Sequence, residues 1–289
     1  MKPLAVGLAG AGPWAGAMHA PTLAKGPETT LAAVWTRRRE AAETLAKAHG
    51  SVPVASFDEL LDHCEAVAFA VPPSVQAVLA VRAANRGKAL LLEKPVALTV
   101  PDARRVAEAV GEAGVVSQLV LTKRYHPRTR DFLERAATFT ATGARSCYLH
   151  GAFLGGEQAT SWRLEHGALL DLGPHLLDLL EAAVGPIASL RGTGDPRHWL
   201  ELTCEHENGV VSQASLSGSI GLRRASTVVD LFGPDGQLHY DTAELDHAEC
   251  WPVLRREFAA AVRSGRPPAL DVWHGLRLQE LLDRAQPPR

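Results

Sequence analysis

Between Leu4 and Leu121 the chain alternates short apolar runs with amphipathic stretches, and glycine, proline or polar clusters separate the two. The apolar runs are Leu4–Ala9 and residues 31–35, 66–71, 89–92 and 115–121. Largely unbroken apolar runs of this length are what strands buried on both faces look like. Helical periodicity fills the gaps: one stretch ends near Lys25, and another opens at Thr36-Arg37-Arg38-Arg39. Ser56 and Glu59 have capping-box spacing ahead of Leu60 and Leu61. Ser74 is placed to cap a helix closed by Gly87, and residues 101–113 form another. Regular strand–helix alternation predicts an α/β domain with a doubly wound parallel sheet over residues 1–122.

After Leu121 the pattern changes. Thr122-Lys123-Arg124-Tyr125-His126-Pro127 is a polar, aromatic hinge, followed by a helix at 128–137. Strand character returns at 145–153, 199–204, 210–216, 227–232 and 237–240, with Gly233-Pro234-Asp235-Gly236 as the turn joining the last two. A Leu-rich helical segment at 167–180 ends near Gly185, and helices at 253–264 and 272–285 close the chain. Successive strands without helices between them predict an α+β domain over 123–289, built on an antiparallel or mixed sheet.

The 289 residues are enough for two cores. Basic and acidic residues nearly balance, at 30 and 32, which gives no electrostatic case for a nucleic-acid or membrane-surface partner. No apolar run approaches the ~20 residues of a membrane span, and the start of the chain does not have the pattern of a secretory signal. Cys64, Cys147, Cys204 and Cys250 lie far apart, which argues against a zinc site or disulfide scaffold and suits a reducing cytoplasm.

The chemistry is concentrated at a few places. Gly10, Gly12, Pro13, Trp14 and Ala15 follow the first strand as G-x-G-x-x-A and open a helix. Gly10 permits a tight turn, Gly12 a close approach to a pyrophosphate, and small Ala15 (or neighbouring Gly16) close packing of the helix on its strand. Where NAD-binding domains usually carry a carboxylate for the ribose, this chain has Thr36, Arg37 and Arg38. A hydroxyl and a guanidinium suit a 2′-phosphate, so NADP(H) is favoured over NAD(H). Ala89-Leu90-Leu91-Leu92-Glu93-Lys94-Pro95 reads as an interior strand that aims Lys94 at the crevice beyond the sheet. In the Leu-rich segment Asp171 and His175 stand four apart, either on one helix face or with Asp171 in the turn before Pro174. A carboxylate beside an imidazole fixes its tautomer and raises its basicity, as general acid–base work requires. Trp162, Arg163, Tyr125 and His126 are candidates to line a substrate pocket. The histidine spacings suggest no metal site.

G-x-G-x-x-A after the first strand, Glu93-Lys94-Pro95 after a later one, and Asp171-x-x-x-His175 in a Gly- and Leu-rich segment occur here in one order. In this combination the chain resembles the Gfo/Idh/MocA family, the glucose–fructose oxidoreductase and inositol dehydrogenase relatives. The resemblance implies a Rossmann domain followed by a domain with a large open, mostly antiparallel sheet, often used for dimerisation. It implies Lys94 beside nicotinamide and substrate, Asp171 and His175 in proton transfer, and Val71 and Pro72 in a loop packed along the dinucleotide. Many relatives carry His where Gln76 stands. Glu93 is expected to position rather than catalyse. The expected activity is hydride transfer between NAD(P) and a secondary alcohol or carbonyl of a sugar, polyol or similar small molecule. The alternatives are an NAD(P)-binding metabolite sensor, or an enzyme using bound NAD(H) for transient oxidation in hydrolysis or elimination. A homo-oligomer, dimer or tetramer, through the second sheet is also expected.

Overall fold

The computed structural model describes residues 2–156, 159–243 and 245–286. They divide into two compact units: the chain up to Thr122 with Ala248–Arg277, and Lys123–His247 with the chain from Leu278 onward.

The first unit is built on six parallel strands, β1 (Leu4–Ala9), β2 (Thr29–Trp35), β3 (Val52–Pro53), β4 (Ala66–Phe69), β5 (Ala89–Leu92) and β6 (Ser117–Leu119), in the order β3-β2-β1-β4-β5-β6. This is the doubly wound Rossmann order, with its switch point between β1 and β4. The strands β4 and β5 are buried along their whole length, which is why their sequence shows no alternation. The helices are α1 (Ala20–Ala24), α2 (Arg39–Ala48), α3 (Phe57–Asp62), α4 (Pro73–Asn85) and α5 (Val100–Ala113). Ser56 caps α3 as its spacing predicts, accepting from the Glu59 N–H at 3.1 Å, while the Glu59 carboxylate reaches back to the Ala55 N–H at 2.8 Å. Ser74 does not cap α4. Pro73 already occupies the first turn, and Pro72, in extended backbone, is the N-cap.

Residues 248–277, expected with the second domain, pack with the first instead. They comprise α8 (Cys250–Ser264) and the beginning of α9 (Val272–Arg284). Polar anchors hold them there. Gln118 Nε2 donates to Leu254 O at 3.1 Å, the Val272 N–H donates to Ser117 Oγ at 3.0 Å, and Arg255 pairs with Glu28 at 2.8 Å.

The second unit holds α6 (Pro127–Ala136), β7 (Gly143–Leu149), α7 (Ser161–Val184) and five more strands: β8 (Ile187–Asp195), β9 (Trp199–His206), β10 (Val211–Ser217), β11 (Ser226–Gly233) and β12 (Gly236–Asp241). The sheet order is β12-β11-β7-β10-β9-β8, antiparallel throughout except for the central β7–β10 pair. Along β9, Leu200, Leu202, Cys204 and His206 point inward, whereas Trp199, Glu201, Thr203 and Glu205 face out. Helix α7 packs against the sheet, meeting β7, β9, β10 and β11. Strand β8 was not anticipated. It is an irregular edge strand, mostly exposed, with glycines set against backbone: a Cβ on Gly192 would stand 2.0 Å from Ala285 O.

His206 is the polar member of the inward face. Its Nδ1 lies 2.6 Å from Gly185 O and its Nε2 2.9 Å from Ser212 Oγ. A carbonyl only accepts, so Nδ1 carries a proton, and in the neutral ring Nε2 accepts from the serine hydroxyl. Burial pushes its pKa down from 6.5, against the opposing pull of the Gly185 carbonyl. Between that lowered value and 6.5 the unfolded chain binds more protons than the folded one, so stability is intact above 6.5 and falls as the pH drops through this window. The urea midpoint measured on both sides of 6.5 is expected to show a drop on the acid side that a His206→Gln variant lacks. An equal drop in that variant would assign the acid sensitivity elsewhere.

None of the four cysteines forms a disulfide, and burial pushes Cys64 and Cys204 up to about 11. No thiolate is available in these two at neutral pH. No described helix is long and apolar enough to cross a membrane, and the described residues hold no metal-binding cluster.

Candidate active site

The sheet order of the first unit brings the carboxyl ends of β2, β1, β4 and β5 side by side, and each carries residues singled out by the sequence. Gly10 has φ +121°, and a Cβ there would stand 2.3 Å from Ala70 O and 3.3 Å from Val71 Cγ1. Its N–H donates to Trp35 O at 2.8 Å, so the glycine turn is wedged between the ends of β2 and β4. A Cβ on Gly12 would meet nothing within 4 Å, so the backbone there faces open space. The helix opens at Pro13, and fully buried Ala15 begins a π-helical turn, Ala15–His19. A bare backbone at the mouth of a helix fits the pyrophosphate of a dinucleotide. Thr36 follows Trp35 directly and is half-buried, while Arg37 and Arg38 are exposed beside it. Val71 and Pro72 follow β4, half-buried and exposed respectively.

Past the end of β5, Glu93, Lys94 and Pro95 sit in a fixed frame, with the Lys94–Pro95 peptide cis. Glu93 Oε1 accepts from Trp14 Nε1 at 2.6 Å and pairs with His19 Nε2 at 2.7 Å, and Oε2 accepts the Lys94 N–H at 3.3 Å. Trp251 packs edge-on against both Trp14 and His19, at ring-centroid distances of 5.9 and 5.2 Å. The Glu93 carboxylate is thereby bound to the helix that follows the glycine turn. Gln76, fully buried, bonds to the backbone of the same segment: Oε1 accepts the Glu93 N–H at 2.9 Å, and Nε2 donates to Glu93 O at 2.8 Å.

In the second unit, α7 is broken at Gly167, whose backbone is non-helical at φ 73°, ψ −169°. A Cβ there would lie 2.5 Å from Pro196 O, and the Ala168 N–H donates to the same oxygen at 2.7 Å. A continuous helix runs from Ala168, so Pro174 lies inside it rather than at its start. Asp171 and His175 therefore share one helix face, both buried, which settles the alternative left open by Pro174. Arg163 Nε lies 3.2 Å from Asp171 Oδ2, so Arg163 faces that carboxylate and balances its charge. The Arg163 guanidinium also sits 5.4 Å from the centre of the Trp162 ring.

The His175 ring meets the edge of Tyr148 at 6.1 Å, and Lys123 Nζ sits 3.9 Å from the centre of the Tyr148 ring. One turn further along α7, buried Asp178 pairs with Arg124 at 2.6 Å. Tyr125 is buried, and the His126 Nδ1 accepts the Arg128 N–H at 3.1 Å as the cap of α6. Sequence reasoning missed Gln76, His19, Trp251, Tyr148 and Arg124 as partners of these residues. For Gln76 a signal existed: it lies in register with Ala80 and Ala83, a polar residue on the buried stripe of α4.

Residues 4–120 match the family model described as "Oxidoreductase family, NAD-binding Rossmann fold", that of Gfo/Idh/MocA. The dTDP-3,4-didehydro-2,6-dideoxy-alpha-D-glucose 3-reductase of Streptomyces violaceoruber is 27% identical over 271 residues, covering 89% of this chain and 78% of that protein. The levoglucosan dehydrogenase of Pseudarthrobacter phenanthrenivorans is 26% identical over 132 residues, covering 43% of this chain and 34% of its own. Among solved structures, GenD2 from gentamicin A biosynthesis in complex with NAD superposes with a TM-score of 0.89 at 23% identity, over 99% of this chain and 93% of that one. At that identity the likeness concerns the fold. Together the parallel sheet, its glycine turn and these matches define an NAD(P)-binding oxidoreductase. Over residues 4–120 the chain carries a Rossmann domain that matches the Gfo/Idh/MocA family model.

Proposed function

We propose that the protein is a dehydrogenase or reductase of sugars, polyols or related small molecules, acting at a secondary alcohol or carbonyl. The observation that carries this reading is the frame around Lys94. Half-buried Lys94 follows the carboxyl end of β5, with β4 between it and β1, the strand that bears the glycine turn, and this position supports a role beside a dinucleotide. The activities of the relatives, a sugar 3-reductase and a levoglucosan dehydrogenase, support the substrate class. A bound nicotinamide would supply the hydride chemistry. The chain's own residues do the rest. Lys94 polarises the substrate oxygen and stabilises negative charge developing on it. His175 takes the hydroxyl proton in oxidation and returns it in reduction, with Asp171 as its helical neighbour and Arg163 compensating the carboxylate. A panel of sugars and polyols assayed with oxidised cofactor is expected to give stoichiometric reduced nicotinamide. Substrate conversion without net cofactor turnover would reject the dehydrogenase reading.

NADP(H) is the cofactor in this reading. Thr36 and exposed Arg37 stand at the end of β2, where a carboxylate would repel a 2′-phosphate. In a thermal-shift titration NADP⁺ is expected to stabilise the wild type more than NAD⁺ does, and Arg37→Ala is expected to weaken NADP⁺ binding by about tenfold, near 1.4 kcal/mol. Stronger stabilisation by NAD⁺ sinks this preference. The enzyme works in the cytoplasm as a homo-oligomer, and the outward face of the second sheet, with exposed Trp199 and Val211, is the surface for self-association.

A further inference from the structure

We propose that Gln76 is the positioning residue for Lys94, serving as a side-chain substitute for the strand neighbour that the Glu93–Val96 segment lacks. Pairing between β4 and β5 ends at Ala68 with Leu91, so on the β4 side the chain beyond Leu92 has no ladder partner. The Gln76 amide takes that place. Its Oε1 accepts the Glu93 N–H at 2.9 Å and its Nε2 donates to Glu93 O at 2.8 Å, the two-way exchange a paired strand residue makes. The same Nε2 also lies 3.1 Å from Val96 O and 3.3 Å from Pro95 O. Backbone groups before and after Lys94, at Glu93, Pro95 and Val96, are thus held by one buried amide, while the Glu93 carboxylate holds the Lys94 N–H.

Only a primary amide combines two N–H donors with a carbonyl acceptor on one planar group. Glutamate has the same shape but would turn lone pairs toward three carbonyl oxygens. Methionine keeps the volume and makes none of the bonds. Because a displacement of about 1 Å can cost about 100-fold in rate, losing the clamp registers in the chemical step more than in cofactor binding. The inference rests on the catalytic reading of Lys94, so its first readout does not use turnover.

The test compares the wild type with Gln76→Met and Gln76→Glu. Lysines are reductively ¹³C-methylated in the cofactor-free protein, and the Lys94 resonance is assigned by its loss in Lys94→Arg. In both variants the Lys94 resonance is expected to move and broaden while the other lysine signals stay in place. With an identified substrate, kcat is expected to fall about 10- to 100-fold, with KM for NADP⁺ within about threefold of wild type. A Lys94 resonance and kcat unchanged in Gln76→Met, with only a lower melting temperature, would overturn the proposal and leave Gln76 as a stabilising bond. A displaced resonance in a protein whose Lys94→Arg variant retains full turnover would uphold the clamp and reject the catalytic role of Lys94.

Discussion

Lys94→Ala is expected to lower kcat by about 10²- to 10³-fold while changing NADP⁺ affinity by no more than a few-fold. The size follows from removing a cation preorganised at the oxygen where charge develops. The selectivity follows from the frame, because Glu93, Gln76 and the glycine turn hold the surrounding backbone without the lysine side chain. His175→Ala removes the proton acceptor and is expected to cost about 10²- to 10⁴-fold, with an altered pH profile of kcat. Steady-state kinetics on one identified substrate, with cofactor affinity from thermal shift, checks both. Near-wild-type turnover in both variants would reject the mechanism.

The second large effect is on stability. Asp178→Ala leaves Arg124 without the carboxylate it meets at 2.6 Å. Asp178 is 1% exposed and Arg124 21%, so the orphaned guanidinium recovers some water. That places the loss at the low end for a broken buried pair, about 3 kcal/mol. Asp178→Asn, which keeps the shape and one acceptor, is expected to lose distinctly less. Urea denaturation of the two variants measures the difference, and equal losses would show that packing rather than charge carries the effect.

Local pattern made the first sheet legible. Its strands are apolar runs bounded by glycine and proline, and the helices between them carry their own caps, as at Ser56 and at Thr99, which accepts the Asp102 N–H at 3.2 Å. The glycine turn was readable from its local spacing, although the Ala70 carbonyl packed against Gly10 comes from the end of β4. Contacts that depend on the fold were not readable. Gln76 meets Glu93 only because a β4–α4–β5 crossover returns the chain there. Asp171 meets Arg163 only because Gly167 breaks the helix between them. Strand β3 is too short to leave a pattern, and β8, an edge strand with close-packed glycines, shows no alternation. The return of residues 248–277 was hidden because an amphipathic helix records that it packs, not on what.

That return matters to the order in which the protein is made. A ribosome delivers the parallel strands before α8, and Leu254 for Gln118, Arg255 for Glu28 and Trp251 for the Trp14–His19 pair emerge only after Lys123–His247 of the second unit has been synthesised. Until then the nascent sheet exposes the apolar and polar surface that α8 will cover, so the parallel-sheet unit is completed long after its own strands are made.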